Sequence, residues 1–138
     1  MLNCGNIKNA AAGRAGREII YIESLDSTNR LAMELGDKGA LHGTVVIAGS
    51  QTKGRGRLGR RWESPAGVNI YMSVILRPDL EPKDATLLTV LSSVASARAI
   101  RGETGLNAEI KWPNDLMCRD KKLGGILTEL RLISGEIL

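Results

Sequence analysis

The amino-acid sequence predicts an α+β protein, in which a mixed β-sheet is flanked by helices. The first observation is the order of its segments, β-α-β-loop-β-α-β-β-β, which lacks the regular alternation of a doubly wound fold. The second is composition: 43% of the 138 residues are hydrophobic and 25% are charged, which suits one domain with its own core. The third is the absence of any apolar run of the roughly 18 residues that a membrane span needs. We therefore expect a soluble protein with no membrane partner.

The first half of the chain supplies three of these elements. Residues 1–16 show no useful periodicity and are interpreted as a loose leader. Residues 17–23 are rich in β-branched side chains and predict a strand. The side-chain oxygens of residues 26–28 can cap a helix that Gly36 ends, and residues 44–48 predict a strand buried on both faces.

An irregular segment follows, and then a strand and a long helix. Residues 49–67 contain five glycines and a proline, whereas residues 69–76 predict another buried strand. Residues 84–101 predict a helix, with Asp84 as its N-cap. Its predicted buried stripe consists of Leu87, Leu88, Leu91, Val94, Ala95 and Ala99.

The last third of the chain predicts an antiparallel meander. Its strands are residues 109–112, 116–118, 123–132 and 136–138, with turns at residues 119–122 and 134–135. The last strand has only three residues and would contribute few ladder hydrogen bonds. We therefore expect the chain to stop inside a domain.

The net charge of the chain comes from one short segment. The formal charge is 19 − 15 = +4, and without Lys53, Arg55, Arg57, Arg60 and Arg61 it becomes 14 − 15 = −1. Arginine binds phosphate and carboxylate through two parallel hydrogen bonds, and the interleaved glycines let the backbone bend. Two interpretations stay open at this point: a flexible linker that binds RNA or single-stranded DNA, and a lid that closes over a small anion.

Three further polar clusters could carry chemistry. Residues 27–29 (STN) offer more hydrogen-bonding groups than one helix cap requires. In KWPND (residues 111–115), residues 113–115 form a predicted turn. Gly124 and Gly125 lie inside a predicted strand, where glycine weakens pairing and often marks a place where a ligand approaches the backbone. Cys4, Cys118 and His42 are too few and too scattered for a disulfide scaffold or a metal site, which fits a reducing cytoplasmic setting.

Four motifs together carry a family resemblance. GRGRLGRRW (residues 54–62), KWPND (111–115), KKLGGIL (121–127) and STN (27–29) resemble biotin–protein ligases, in this order and spacing. The resemblance implies an enzyme, biotin–[acetyl-CoA-carboxylase] ligase, which uses ATP and Mg²⁺ to convert biotin into biotinyl-5′-adenylate. The biotin then passes to a lysine of a biotin carboxyl carrier protein. The implied fold is similar to the catalytic domain of class II aminoacyl-tRNA synthetases.

The resemblance also implies roles for particular residues. Arg57 and Lys122 would be catalytic, and Lys111, Asn114 and Asp115 would line the nucleotide side. No residue is expected to bind a metal directly. The residues implied to contact biotin or its adenylate are Ser27, Thr28, Asn29, Gln51, Gly54, Arg55, Gly56, Arg57, Trp62, Lys122 and Gly125.

Two departures from the family pattern limit what is expected. The residues before the first strand are too few for a winged helix, so specific DNA binding is not expected. The family's later strands and its C-terminal β-barrel domain are missing, so residues 17–138 are interpreted as a partial catalytic domain, incomplete at its C-terminus and weakly active or inactive alone. Homodimer formation is left open. The alternatives are a module that binds RNA or single-stranded DNA and a lipoate or octanoate transferring enzyme of similar fold.

Overall fold

The computed structural model describes Gly16, residues 18–133, Glu136 and Ile137. The chain divides into two compact units: the first contains the chain up to Asp79 together with Arg131–Ile133, and the second contains Leu80–Leu130. The leader predicted for residues 1–16 lies outside the described residues except for Gly16, whose N–H donates to the carbonyl of Gly43 at 2.9 Å. No helix in the described part of the chain is long and apolar enough to cross a membrane.

A three-stranded mixed sheet forms the centre of the first unit. Its strands are β1 (Ile19–Leu25), β2 (Val45–Gln51) and β3 (Tyr71–Val74), in the order β1-β2-β3. β1 and β2 are parallel and are joined through helix α1 (Thr28–Asp37), whereas β3 runs antiparallel to β2. The predicted α+β class and mixed sheet are confirmed in this unit.

The core of the first unit lies between α1 and one face of the sheet. Val46 on β2 is fully buried and packs with Ala32 of α1 and Ile75. Side chains that are partly buried complete this cluster: Leu25, Leu31, Leu35 and Ala40. Because β2 is the middle strand and is buried along most of its length, it fixes the position of whatever follows it.

The C-terminal end of α1 is held by an arginine that is distant in sequence. The Arg77 guanidinium donates to the carbonyls of Gly36 at 2.7 Å and Ala40 at 3.0 Å. The last carbonyls of a helix have no partners within it, and a cation there also favours the helix dipole. Arg77 thus completes the end of α1, which the sequence placed at Gly36 and which the structure places at Asp37.

The second unit begins with a 3-10 turn (Pro82–Asp84) and helix α2 (Thr86–Thr104). The strands β4 (Glu109–Lys111), β5 (Asp115–Cys118) and β6 (Lys121–Gly125) follow as an antiparallel meander. The meander was predicted, but the predicted strand 123–132 is wrong. β6 ends at Gly125. Outside this meander, β7 (Leu132–Ile133), which belongs to the first unit, and β8 (Glu136–Ile137) form a separate two-stranded sheet. The predicted turn at residues 134–135 lies outside the described residues.

The prediction for α2 is correct in type and wrong in its buried face. Asp84 is not the N-cap but ends the 3-10 turn, and Ala85 occupies the cap position. Leu87 and Leu91 are 54% and 62% exposed, whereas Ser93 and Ala97 are buried against the meander. Small side chains allow the helix to approach the meander closely, so side-chain size and not hydrophobicity determines which face is buried.

Candidate functional site

Five polar side chains from four segments meet at the start of α1. The Gln51 side chain at the end of β2 is the centre of this group, which we call the polar network. Its Oε1 accepts from the backbone N–H of Thr28 at 2.8 Å and from Thr28 Oγ1 at 3.1 Å. Its Nε2 donates to Ser64 Oγ at 3.0 Å. Ser73 Oγ on β3 donates to Thr28 Oγ1 at 2.9 Å and also contacts Asn29 Oδ1.

Because several of these groups are buried, losing one of these hydrogen bonds would be costly. Thr28, Ser64 and Ser73 are all buried, and a buried polar group without a partner would cost about 1–3 kcal/mol. Among the described residues no buried side-chain nitrogen or oxygen lacks a partner. The network is therefore complete, and its donors and acceptors hold fixed positions.

The N-terminus of α1 is capped differently from the prediction. Ser27 occupies the N-cap position, but its side chain makes no capping hydrogen bond. The first-turn N–H of Thr28 is satisfied by Gln51, 23 residues further along the chain. Asp26 Oδ1 accepts from the N–H of Ser27 at 2.6 Å. Ser27 is itself buried, and its hydroxyl is not used to cap the helix.

The sequence analysis missed two members of the network, Ser64 and Ser73. Ser64 lies in a segment predicted to be irregular, and Ser73 lies within a strand predicted to be buried. In the structure Tyr71 and Ser73 of β3 are buried and Met72 is exposed, but the apolar residues on both sides of Ser73 conceal this alternation in the sequence. No pattern in the sequence marks Ser64 either.

The Gly/Arg segment is a narrow hairpin, which we call the arginine loop (residues 52–63). Antiparallel bridges join Gln51 to Ser64 and Arg55 to Arg61. The N–H of Trp62 donates to the carbonyl of Gly54 at 2.9 Å, and the tip is a 3-10 turn at Arg57–Gly59. The segment predicted to be irregular is thus closed by two isolated bridges, the first of which lies at the end of β2.

Gly54 is required by space at the base of the arginine loop. A methyl group at this position would lie 2.6 Å from Ser64 Oγ and would press against the carbonyl oxygen of Trp62. Both atoms make hydrogen bonds, so moving either of them away from the methyl group would break a hydrogen bond. The loop glycines were interpreted as hinges, but at Gly54 the structural requirement is close packing.

The cationic side chains of the arginine loop lie on its surface. Lys53, Arg55, Arg57, Arg60 and Arg61 are all exposed, and Arg61 pairs with Glu63 at 3.2 Å. Five cations on one short hairpin make the local potential strongly positive. The hairpin is thus suited to an anion.

A second group of predicted site residues lies on the meander, within the second unit. Lys122 Nζ on β6 pairs with Asp115 Oδ1 on β5 at 2.7 Å. A β-bulge between Leu116 and Met117 places Gly125 opposite Asp115. A Cβ at Gly125 would lie 3.6 Å from both Lys122 Nζ and Asp115 Oδ1. The glycine leaves the space across which the lysine reaches the carboxylate.

The KWPND turn is fastened to its surroundings on two sides. Asn114 donates from its side chain to the carbonyl of Ile126 at 3.2 Å, and its own carbonyl accepts from the N–H of Ile126 at 2.8 Å. Ser93 of α2 donates to the carbonyl of Pro113 at 3.1 Å. Trp112, which forms a cis peptide bond with Pro113, is 79% exposed.

Lys111 ends β4 and is paired in register with Asp115. Its side chain is exposed. The described residues include no cluster of three or more His, Cys, Asp or Glu side chains that could hold a metal ion.

The family model of the biotin/lipoate A/B protein ligase family matches residues 21–137. The chain belongs to this family. Both groups of predicted site residues, the polar network with the arginine loop and the Asp115–Lys122 pair, lie inside the matched region. The structural neighbours place the chain in the fold class of the biotin protein ligases, as the sequence predicted.

Named relatives make the likeness specific. The bifunctional ligase/repressor BirA of Bacillus spizizenii is 44% identical over 116 residues, which cover 84% of this chain and 36% of the relative. The biotin–[acetyl-CoA-carboxylase] ligase of Mycobacterium tuberculosis is 40% identical over 128 residues, which cover 86% of this chain and 47% of the relative.

Solved structures of the family agree in fold. Biotin protein ligase from Aquifex aeolicus, solved with biotin and ATP, superposes with a TM-score of 0.67 at 33% identity. The match covers 88% of this chain and 49% of that structure. Biotin protein ligase from Leishmania major, solved with biotinyl-5-AMP, gives a TM-score of 0.71 at 28% identity and covers 87% and 54%. The chain thus spans about half of these solved chains and less than half of the two curated relatives.

Proposed function

We propose that this chain is the biotin-binding part of an ATP-dependent biotin–protein ligase. In the first step a biotin carboxylate oxygen attacks the α-phosphorus of ATP, which forms biotinyl-5′-adenylate and releases pyrophosphate. In the second step the amine of a lysine on a biotin carboxyl carrier protein attacks the acyl carbon, which forms an amide and releases AMP. The polar network around Gln51 is the observation that carries this proposal.

The network offers what a cyclic urea such as the biotin head group needs. Gln51 Nε2 carries a second hydrogen beyond the one given to Ser64, and Thr28 Oγ1 retains one lone pair after its bonds to Gln51 and Ser73. A urea presents one carbonyl acceptor and two N–H donors, so a donor and an acceptor side by side are complementary to it. Ser27 and Asn29, adjacent in sequence, extend the same surface. Neutral hydrogen bonds in a buried place favour a neutral polar ring over a charged one.

The arginine loop fits the anionic part of the reaction. Adenylation brings a carboxylate against a triphosphate, and both groups are negative. Arg55 and Arg57 with the backbone of Gly54 and Gly56 would draw these groups together, and Trp62 would pack beside them. A guanidinium such as that of Arg57 that meets charge developing in the transition state contributes roughly 3–4 kcal/mol.

The Asp115–Lys122 pair and its neighbours fit the nucleotide side. Lys122 would leave Asp115 for the biotin carboxylate and the α-phosphate, and the Gly125 position leaves room for that exchange. Lys111 and Asn114 would line the nucleotide. ATP would arrive with Mg²⁺ on its phosphates, because the described carboxylates do not gather into a site of their own.

A titration of the chain with biotin, followed by calorimetry, tests the proposal directly. We expect biotin to bind with an affinity that falls only modestly as salt rises, because its head group is neutral and it carries a single carboxylate, and lipoate to compete poorly. RNA or single-stranded DNA would instead bind with a steep loss of affinity as salt rises. Saturable RNA binding without any response to biotin would overturn the proposal, and competition by lipoate at equal strength would redirect it to the lipoate branch.

The complete reaction is tested in the longest natural protein that contains this chain. Biotin-dependent exchange of pyrophosphate into ATP should fall about 10²–10³-fold in Arg57→Ala. Arg60→Ala is the matched control, since Arg60 lies in the same loop and is equally exposed but has no assigned contact. Equal loss in both variants would show that only the charge of the loop matters.

We propose the cytoplasm as the site of action, where the carrier protein and ATP are available.

A further inference from the structure

Ser64 is a buried serine at the base of the arginine loop, opposite Gln51 in the bridge that follows β2. It lies between two groups with proposed roles. Its Oγ is 3.0 Å from Gln51 Nε2 and 3.2 Å from the carbonyl oxygen of Trp62. Ser64 is thus the side chain through which the Gln51 amide contacts the loop.

The direction of every hydrogen bond in this chain of contacts is fixed by its two ends. The backbone N–H of Thr28 can only donate, so Gln51 must turn its oxygen toward Thr28 and its NH₂ toward Ser64. The Trp62 carbonyl can only accept, so the single hydroxyl hydrogen of Ser64 goes to Trp62. Ser64 is left with lone pairs alone for Gln51, which an inverted amide could not use.

We propose that Ser64 is a positioning residue that fixes the orientation of the Gln51 amide and couples it to the Trp62 carbonyl of the arginine loop. The proposal rests on the proposed function for its consequence in biotin binding. If the Trp62 carbonyl moves away, the Ser64 hydrogen is released and can turn toward Gln51, so that only the Thr28 N–H still favours this amide orientation. The position of the loop thereby controls how strongly the donor and acceptor of the head-group site are held.

A ligand-free measurement tests the positioning itself. Hydrogen exchange at the Thr28 amide reports on the bond to Gln51, and exchange at the Val46 amide in β2 serves as the reference for overall stability. We expect Ser64→Ala to raise Thr28 exchange relative to Val46 about five- to tenfold, the loss expected for one neutral hydrogen bond. Ser50→Ala is the matched control, because its hydroxyl contacts the Glu23 carbonyl outside the network. An unchanged Thr28-to-Val46 ratio in folded Ser64→Ala overturns the proposal.

Ser64→Thr and Ser64→Val form a second pair, for use if Ser64→Ala does not fold. Their side chains have the same shape and differ only in the hydroxyl. The Thr28-to-Val46 exchange ratio should be about five- to tenfold lower in the threonine variant than in the valine variant, because only threonine keeps the hydrogen bond to Gln51. Equal ratios in the two variants overturn the proposal.

A double-mutant cycle on biotin affinity tests the coupling to the ligand. Ser64→Ala should weaken biotin binding about tenfold in the parent and should have no further effect in Gln51→Ala, because it acts through that amide. Independent, additive losses would show that Ser64 does not act through Gln51 and would overturn the proposal. A parent chain that binds no biotin would contradict the proposed function alone, since the exchange ratio still decides whether Ser64 positions Gln51.

Discussion

The polar network and the Asp115–Lys122 pair each hold site residues in place, but they differ in charge and in burial. The network consists of neutral groups that are buried or partly buried, and its ends are backbone atoms that cannot change roles. The ion pair consists of two charges that are 38% and 27% exposed, on a hairpin. Buried neutral bonds are insensitive to salt and expensive to break, whereas exposed charges are screened and easily exchanged.

This difference matches the two kinds of ligand chemistry proposed for them. A neutral head group is best recognised by a rigid pattern of donors and acceptors that cannot rearrange. An anion that is present during only part of a reaction is better bound by a cation that pairs with a protein carboxylate when the anion is absent. The comparison predicts that variants of the two regions differ in size of effect and in salt dependence.

The largest effect is expected for Thr28→Val, which keeps the shape of the side chain and removes its hydroxyl. Gln51 and Ser73 would each lose a partner in a buried place, so the free energy of unfolding should fall by about 1–3 kcal/mol. Biotin affinity should fall about tenfold or more, as measured by calorimetry. Thr52→Val is the control, since Thr52 is exposed. A loss that shrinks markedly in 1 M NaCl would contradict the neutral character assigned to the network.

Gly54→Ala tests whether the base of the arginine loop is as tightly packed as the distances indicate. The added methyl group would displace Ser64 or Trp62, and overpacking of this kind costs about 1–3 kcal/mol in urea denaturation. Gly36→Ala is the matched control, because nothing lies within 4 Å of its added methyl group. In α1 that change should stabilise by about 0.5–1 kcal/mol. Stabilisation by both substitutions would show that the loop base is loose.

Asp115→Asn should have a small effect on stability, below about 1 kcal/mol, because the pair is partly exposed. The effect should shrink further as salt is raised, in contrast to Thr28→Val. Thermal unfolding at two salt concentrations measures both. A loss of several kcal/mol that is independent of salt would place this pair in the same class as the network and remove the contrast.

The smallest effect concerns Asp37 at the end of α1 and is a dependence on pH. The hydrogen bond from Arg131 at 2.9 Å lowers the pKa of the Asp37 carboxyl, with a further contribution from its charge. A lowered pKa in the folded state means that the stabilisation is present above the unfolded value of about 3.9 and is lost as pH falls through the folded pKa. Parent and Asp37→Asn should therefore differ at pH 7 and converge in acid. A difference that persists below both pKa values would mean that the ion pair is not its source.

The comparison also explains how far the sequence could predict this molecule. Local pattern and turn chemistry gave the class, the order of elements and the meander, because those depend on neighbouring residues. Three contacts of the site and of α1 join residues that are 13–41 positions apart in sequence. They are the hydrogen bonds from Thr28 to Gln51, from Gln51 to Ser64, and from Arg77 to the carbonyl of Gly36 at the end of α1. The buried face of α2 was predicted wrongly because hydrophobic periodicity does not register that Ser93 can be buried when two carbonyls accept its hydrogen.

The β-bulge in the meander has a consequence for the spacing of residues in the KKLGG motif. In a regular strand, residues three apart face opposite sides of a sheet. The bulge places Lys122 opposite Met117 and Gly125 opposite Asp115, so that a lysine and a glycine three apart face the same side. Leu123 is the extra residue that turns an odd separation into an even one. Deleting it alone would place Lys122 and Gly125 two apart in a regular strand, which keeps both pairings and both side chains on one side.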